Sequence, residues 1–281
     1  FEPGFSLIIL ALRPFLSNRA VILVIQILIG VLTYLTVRTY VGGTESIWER
    51  GVAYALAFFS VAFTLGVNNA LRQYMASLII FIAIWEFLNG RKILSFLVFL
   101  FTPFIHLSSV FFYLIAVIIL AFSEKRYFSQ EKLTFSINLV RTLFLILSIV
   151  SIAALPIVVN YTRYATYLDL NMSSGRVDFL VKYLLVLIAF LASEFYLGNI
   201  NKEEYIFSQL RILRMFLIIL MFVFSFFNSL NELSSRILAF YFTLDMLVLC
   251  LAYVKGYKTS AFVINLSYAF AINAINVIGR I

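Results

Sequence analysis

The chain has 281 residues, of which 63% are hydrophobic and only 12% are charged, and its formal net charge is +8. Soluble domains carry about 25% charged residues, so the composition excludes a protein dissolved mainly in water. The single cysteine, Cys250, excludes an intramolecular disulfide and a cysteine-rich metal site, and the positive charge is as expected for a membrane protein with basic loops and does not require nucleic acid.

Apolar runs of membrane-crossing length recur along the whole chain. They predict an all-α fold: a polytopic transmembrane bundle of about 10 or more spans, forming one integral membrane domain over 1–281. An apolar segment at 5–16 ends near Pro14 and is too short to cross. Because the chain opens on Phe1 inside a loop-like stretch, we expect a further helix before it. The predicted spans lie near 21–37, 51–67, 73–88, 93–105, 107–122, 133–159, 179–197, 212–227, 236–254 and 261–278.

The segment 93–122 holds the only histidine, His106. One helix of about 30 residues would measure ~45 Å, too long for a hydrocarbon core of ~30 Å. Both flanks are basic, so we predict a short helical hairpin with both ends on the same side and Pro103 breaking the first arm. Its tip would present His106 to a cavity. Alternatively, His106 bonds a neighbouring backbone carbonyl and only holds the hairpin together.

The cations are distributed unevenly over the predicted loops. The loops assigned to the cytoplasm, which include 198–214, hold 12 of the 21 cations and six of the seven lysines. Seven of the eight cations assigned to the outer side are arginines, whose planar fork fits phosphate or carboxylate. This pattern favours an anionic ligand at the outer side. The alternative is chance combined with contacts to lipid headgroups.

Three outer turns carry the candidate binding residues. Each turn places an arginine at or near a helix start, where the helix dipole disfavours a cation. A shared anionic ligand is the simplest explanation for all three placements. The longest turn, 160–178, also interleaves tyrosines and aspartates with its arginines, as sugar-binding surfaces do. The candidates are Arg72 from the first turn, Arg163, Tyr164, Arg176 and Asp178 from the second, and Glu232, Arg236 and Tyr241 from the third.

Two ionisable residues fall well inside predicted spans, Arg141 and Asp245. They lie at similar depth, ~12–14 Å from the inner helix ends, so we predict that they form a structural ion pair. Glu86 and Glu194 are closer to helix ends and are expected to reach the cytoplasmic interface. Cys250 is expected to behave as a small buried hydrophobic residue.

Five short motifs, in order along the chain, resemble those of the Wzy-type and EpsG-like polysaccharide polymerases. In these families an acidic stretch opens the similar region, an arginine starts a helix, and a histidine motif follows a basic turn. The motifs are "EPGF" at 2–5, "NNALRQYMA" at 68–76, "FIHLSSV" at 104–110, "SSGRVDF" at 173–179 and "SSRILAFYF" at 234–242.

The resemblance implies a glycosyltransferase in the bacterial cytoplasmic membrane, with its site facing the exterior. It would join oligosaccharide repeat units carried on undecaprenyl pyrophosphate, for O-antigen, capsule or exopolysaccharide. Arginines such as Arg72 and Arg236 would hold the departing pyrophosphate, and His106 or Glu2 would serve as the base. We expect no cofactor and no metal. The partners would be the lipid-linked substrates, the bilayer and a chain-length regulator.

Two other functions fit the same features. An O-antigen ligase, or another transferase of lipid-linked sugars, would use the same outer arginines and histidine with a different acceptor. A flippase or transporter of lipid-linked oligosaccharides would line a central cavity with cations along its depth, whereas the cations here lie mostly at helix ends. The pattern therefore favours the polymerase.

Overall fold

The computed structural model describes residues 3–42, 46–68, 71–123, 186–188, 190–191, 193, 205–225, 231–258 and 261. Within these ranges the regular structure is entirely helical, as predicted. The described helices are α1 Pro3–Leu12, α2 Asn18–Val41, α3 Ile47–Phe58, α4 Val61–Asn68, α5 Leu71–Leu88, α6 Lys92–Phe99, α7 Thr102–Ile105, α8 Ser109–Ser123, α9 Tyr205–Ser225 and α10 Asn231–Val254.

Three described helices are long and apolar enough to cross a membrane: Asn18–Val41, Leu71–Leu88 and Arg236–Val254. They correspond to predicted spans, but the total of about ten is not confirmed. The predicted span at 133–159, most of the one at 179–197 and nearly all of the one at 261–278 lie outside the described residues.

One predicted span, 51–67, consists of two helices, α3 and α4. The Ser60 hydroxyl donates to the Ala57 carbonyl (2.6 Å) and accepts from the Phe63 amide (3.2 Å). Serine at this position caps the second helix and competes with a continuous helical hydrogen-bond ladder. The bend at Phe59 and Ser60 therefore has a local chemical cause.

Helix α5 packs against both α2 and α10, and all three run in the same direction. Side-chain hydrogen bonds fix the register: Thr33 lies beside Tyr74 (3.3 Å), and Ser77 lies beside Thr243 (2.9 Å). Farther along, the Tyr40 hydroxyl donates to the Phe81 carbonyl (2.7 Å). Because the three helices are parallel, the starts of α5 and α10 point to one end of the bundle, which we call the recess end.

Helix α4 approaches α5 closely because Gly66 has no side chain. A Cβ built on Gly66 would lie 2.2 Å from Cγ of Tyr74, inside the ring's own volume. Tyr74 is almost fully buried. Any larger residue at position 66 would therefore displace α4 from the helix that carries Arg72.

At the opposite end of the bundle, carboxylates pair with cations. Glu86 lies 2.6 Å from Arg91 across the turn after α5, and Glu49 at the start of α3 lies 3.1 Å from Lys258. Cys250 is buried and its thiol contacts the Ala53 carbonyl at 3.3 Å. Glu86 thus lies near a helix end, as expected, and Cys250 packs as a small buried residue. Glu194 lies outside the described residues.

The predicted span at 212–227 starts too late in the sequence. Helix α9 begins at Tyr205, not near residue 212, so Arg214 is inside the helix and its side chain has no exposed surface. Arg214 therefore does not belong to the 198–214 loop to which it was assigned. Two arginines three residues apart, Arg211 and Arg214, lowered the local hydropathy and hid the helix start.

Candidate functional site

His106 ends a short helix at the tip of the predicted hairpin. Helix α6 stops at Phe99, α7 is one turn long with Pro103 in that turn, and His106 follows it in an extended conformation (φ −154°, ψ 112°). The His106 amide donates to the Thr102 carbonyl (2.9 Å), and only 7% of the residue is exposed. Pro103 thus lies within the one-turn helix at the tip, rather than at the point where the first arm ends. The histidine occupies the only non-helical segment between α7 and α8.

Packing between the two arms fixes the hairpin against α5. The Ser95 hydroxyl donates to the Ala83 carbonyl (2.7 Å) and also bonds the Tyr113 hydroxyl (2.7 Å). The rings of Phe99 and Tyr113 stack with centroids 4.1 Å apart. Since α6 runs antiparallel to α5 from this contact, the tip that carries His106 lies toward the start of α5.

The first motif contacts the histidine motif directly. A Cβ added to Gly4 would lie 2.8 Å from the Phe104 carbonyl oxygen, so α1 and α7 meet through their backbones at this point. Phe104 is two residues before His106. Glu2, the predicted alternative base, immediately precedes Pro3 in sequence but lies outside the described residues.

The same motif also contacts the arginine of the second motif. The Arg72 guanidinium carbon lies 5.8 Å from the centroid of the Phe5 ring, within the range of a cation–π contact. Phe5 is largely buried, whereas Arg72 is exposed. Neighbouring residues of α1, Gly4 and Phe5, therefore join the histidine motif to Arg72.

Arg236 joins this group through a residue that the sequence did not indicate. The Gln73 side-chain amide donates to the Arg236 backbone carbonyl at 2.6 Å. Gln73 is the neighbour of Arg72, so the two arginines lie at the same level on adjacent parallel helices, Arg72 in the first turn of α5 and Arg236 in the second turn of α10. A lone glutamine beside an arginine carries no sequence signal, because its partner is more than 160 residues away.

The start of α8 lies at this level too. The rings of Phe112 on α8 and Phe240 on α10 stack with centroids 3.9 Å apart. Ser109 is three residues before Phe112, and Arg236 is four residues before Phe240. At ~1.5 Å per residue, the first residue of α8 and Arg236 thus differ in height by roughly 2 Å. We call the group Phe5, Arg72, Gln73, His106 and Arg236 the arginine recess.

The arginine recess lies well below the end of α2. Asn18 is fifteen residues before Thr33, which contacts Tyr74, and Arg72 is two residues before Tyr74. At ~1.5 Å per residue, α2 therefore extends roughly 20 Å beyond Arg72. The first five residues of α10 also precede Arg236. The two arginines are thus set within the depth that the long helices span.

The charge at the recess end has one sign among the side chains that the structure describes. The described cations there are all arginines. Of the acidic side chains that the structure describes, Glu49 and Glu86 lie at the opposite end and Asp245 lies halfway along α10. The planar guanidinium groups of clustered arginines suit an anionic ligand. These cations are Arg13, Arg19, Arg72 and Arg236.

Other predicted site residues are placed elsewhere or not described. Tyr241 has no exposed surface, and its ring lies 5.9 Å from the Arg214 guanidinium carbon, away from the recess. Glu232 is in the first turn of α10, but its side chain is outside the described part of the chain. Four further residues fall in ranges that the structure does not describe: Arg163, Tyr164, Arg176 and Asp178.

Asp245 has a partner that the sequence did not predict. Arg214 Nη2 lies 2.6 Å from Asp245 Oδ1, with both side chains almost fully buried, and it also donates to the Ser193 hydroxyl. Its guanidinium carbon lies 5.0 Å from the Phe190 ring centroid. Arg141, the predicted partner of Asp245, lies outside the described residues. This polar cluster connects α9 to α10 through a buried ion pair.

The described residues contain no group of three or more histidine, cysteine, aspartate and glutamate side chains suited to a metal ion. Compared with known proteins, the chain is matched over residues 1–280 by the model of the EpsG family. No curated protein and no solved structure matches it.

Proposed function

The chain belongs to the EpsG family, and from this membership we propose that it joins saccharide repeat units carried on undecaprenyl pyrophosphate. The family and the apolar helices indicate a membrane protein with a polysaccharide polymerase role. The observation that carries the finer proposal is the convergence in the arginine recess of four motifs far apart in sequence. Their representatives are Phe5, Arg72, His106 and Arg236.

In the proposed reaction, a hydroxyl oxygen of the acceptor repeat unit attacks C1 of the donor sugar. The bond from C1 to the pyrophosphate oxygen breaks, and the lipid pyrophosphate leaves with the bonding electrons. Arg72 and Arg236 stabilise the negative charge that develops on it. His106 accepts the proton of the attacking hydroxyl, or Glu2 does so.

The arginines suit this task because their guanidinium groups are charged at any physiological pH and match two phosphate oxygens at once. Gln73 supports Arg236 by bonding its carbonyl, and the Phe5 ring supports Arg72. Positioned donors of this kind require little reorganisation when charge develops. We propose that they supply the electrostatic stabilisation without a metal ion or a cofactor.

We further propose that the saccharide portions contact the second and third of the predicted outer turns. The residues assigned to this role are Arg163, Tyr164, Arg176, Asp178 and Glu232. Tyr241 was predicted with them, but its burial beside Arg214 supports a packing role that orients α10. A polysaccharide chain-length regulator is the proposed protein partner.

The recess end is proposed to face the exterior of the bacterial cytoplasmic membrane. The lysines described by the structure lie at the opposite end, together with the paired carboxylates Glu49 and Glu86. Lysine-rich ends favour the cytoplasmic side. The product would be O-antigen, capsule or exopolysaccharide, polymerised outside that membrane.

The test is polymerisation by purified protein in lipid nanodiscs, with undecaprenyl-pyrophosphate-linked repeat units as the only saccharide. The wild type should produce a ladder of chains and release undecaprenyl pyrophosphate. His106→Ala should leave single repeat units on the lipid, whereas His106→Gln should retain some product if the role is hydrogen bonding alone. Equal ladders from wild type and His106→Ala would remove His106 from the site.

The same assay separates the two other candidate functions. A ligase would transfer saccharide only when lipid A core is added, and would form no ladder without it. A flippase would move the lipid-linked saccharide between leaflets and consume none. Either result would reject the polymerase.

A further inference from the structure

The turn after His106 holds two hydroxyl groups without partners. Within the part of the chain that the structure describes, neither Ser108 Oγ nor Ser109 Oγ makes a hydrogen bond, and both atoms are buried. Ser109 as a whole has no exposed surface. A buried hydroxyl without a hydrogen bond loses its bonds to water and gains none in return, so two adjacent ones need an explanation.

Ser109 is exceptional among the buried hydroxyl residues that the structure describes. Every other buried serine or threonine donates to a backbone carbonyl, and all of them except Ser95 use the carbonyl three or four residues earlier, as serine and threonine commonly do inside helices. Ser109 starts its helix, and its own backbone amide already donates to the His106 carbonyl (3.1 Å). The residues with partners are Thr33, Thr36, Ser60, Ser77, Ser95, Thr102, Ser193 and Thr243.

Ser108 occupies the residue before α8, where a serine side chain normally accepts from the amides of the first helical turn. Its hydroxyl makes no such bond. Helix α8 is 15 residues long, and its uncapped start carries the positive end of the helix dipole. The start of α8 is therefore suited to an anion.

The surroundings favour the same ligand. Arg236 lies at the height of Ser109, since Phe112 stacks on Phe240 one turn farther along. Arg72 and Gln73 start α5 at that height too, because Gln73 bonds the Arg236 carbonyl. Two hydroxyl donors at a helix start thus share their level with two arginines.

We infer that Ser108 and Ser109 donate hydrogen bonds to a phosphate group of the lipid-linked pyrophosphate, at the start of α8 beside His106. This inference rests on the proposed function for the identity of the lipid. The group would satisfy both hydroxyls and meet the helix dipole. Because the Ser109 hydroxyl is fully buried, the turn at 106–108 must shift when the phosphate enters. Leu107, 53% exposed, lies at the outer side of that turn.

The test is binding of undecaprenyl pyrophosphate to the full chain in nanodiscs, with undecaprenol, which has no phosphate, as the comparison lipid. Ser109→Ala should bind undecaprenyl pyrophosphate roughly tenfold more weakly, as expected for one hydrogen bond to a charged group. The double variant Ser108→Ala/Ser109→Ala should bind more weakly still. Binding of undecaprenol should not change.

A thermal melt without ligand separates this role from a structural one. Ser109→Ala should melt at or above the wild-type temperature, because the substitution removes a buried hydroxyl that has no partner. The control is Ser77→Ala, which loses bonds to Tyr74 (2.7 Å) and Thr243 (2.9 Å). Ser77→Ala should melt lower and bind undecaprenyl pyrophosphate normally below its melting temperature.

Wild-type affinity in Ser109→Ala and in the double variant would overturn the inference, and so would failure of the wild type to prefer undecaprenyl pyrophosphate over undecaprenol. Weaker binding of undecaprenol as well would indicate a general distortion and would also reject the phosphate contact. Since these measurements require no turnover, loss of binding in a protein that forms no polymer supports the phosphate site and rejects the polymerase. If the wild type forms polymer and the serine variants bind undecaprenyl pyrophosphate normally, the phosphate site is rejected and the polymerase is supported.

Discussion

Gly4 and Phe104 touch through their backbones: a Cβ on Gly4 would lie 2.8 Å from the Phe104 carbonyl oxygen and 2.9 Å from its Cβ. Neither atom belongs to a flexible side-chain end, so a substitution must move α1 or α7. The contact lies two residues from His106 and one residue from Phe5, which supports Arg72. It therefore sets the spacing between the histidine and the arginine.

Gly4→Ala should lower the rate of polymer formation by about tenfold or more, because sub-ångström to ångström shifts of catalytic groups are costly. Overpacking at this contact should also destabilise the protein by about 1–3 kcal/mol. The matched control is Gly51→Ala, since a Cβ on Gly51 meets nothing within 4 Å. We expect the control to be fully active, and equal activity of the two variants would show that the α1–α7 spacing is unimportant.

Replacing Gln73 should weaken the support of Arg236. Gln73→Ala loses the 2.6 Å bond to the Arg236 carbonyl, worth about 0.5–1.5 kcal/mol, and should reduce activity severalfold. Gln73→Glu should be worse, because a carboxylate replaces the donor and competes with pyrophosphate for the arginines. Initial rates in nanodiscs would measure both, and a fully active Gln73→Glu would contradict an anion-binding recess.

Arg72→Lys and Arg236→Lys keep the charge but lose the planar fork. We expect each to reduce polymer formation by roughly tenfold or more, with normal amounts of protein in the membrane. Arg38→Lys, at the opposite end of α2, is the matched control and should be active. If the two recess variants form as much polymer as the control, positions 72 and 236 need only a positive charge. Arg163→Lys and Arg176→Lys test the second outer turn in the same way.

The buried pair Arg214 and Asp245 should be structural. Removing either partner alone, by Arg214→Ala or Asp245→Ala, should destabilise the protein by about 3–5 kcal/mol, because the other charge stays buried. The double variant should recover part of that loss in a thermal melt in detergent. Strictly additive losses would show that Arg214 and Asp245 are not coupled.

The predicted pair Arg141 and Asp245 can be tested with the same double-mutant cycle. If Arg141 also shares the carboxylate, its removal should cost less in the Asp245→Ala background than in the wild type. Equal costs in both backgrounds would leave Arg214 as the partner of Asp245 and remove Arg141 from the pair.

Local chemistry made several features predictable from the sequence. Proline and a histidine between two short apolar arms indicated the hairpin, and the structure has α6, α7 and α8 there. The motif order indicated the family. The break at Ser60 is also local in origin, but two short apolar helices in line have the hydropathy of one span. Hydropathy alone therefore merged α3 and α4.

Long-range contacts account for most of what was missed. The amide of Gln73 and the carbonyl of Arg236 become neighbours only when α5 and α10 pack in parallel. Arg214 was assigned to a loop because a charged residue lowers hydropathy whether or not a carboxylate neutralises it. Tyr241 lies one helical turn beyond Arg236 in sequence, yet it is buried beside Arg214. Pairing and burial of this kind follow from the tertiary fold.

The roughly 20 Å by which α2 rises above Arg72 has a consequence for competing reactions. An activated glycosyl pyrophosphate is open to attack by water as well as by a sugar hydroxyl. The saccharide of a bound acceptor would displace most of the water molecules that reach a site set below the end of α2. For the proposed polymerase, the height difference between two helices would thus favour chain growth over wasteful hydrolysis of its donor.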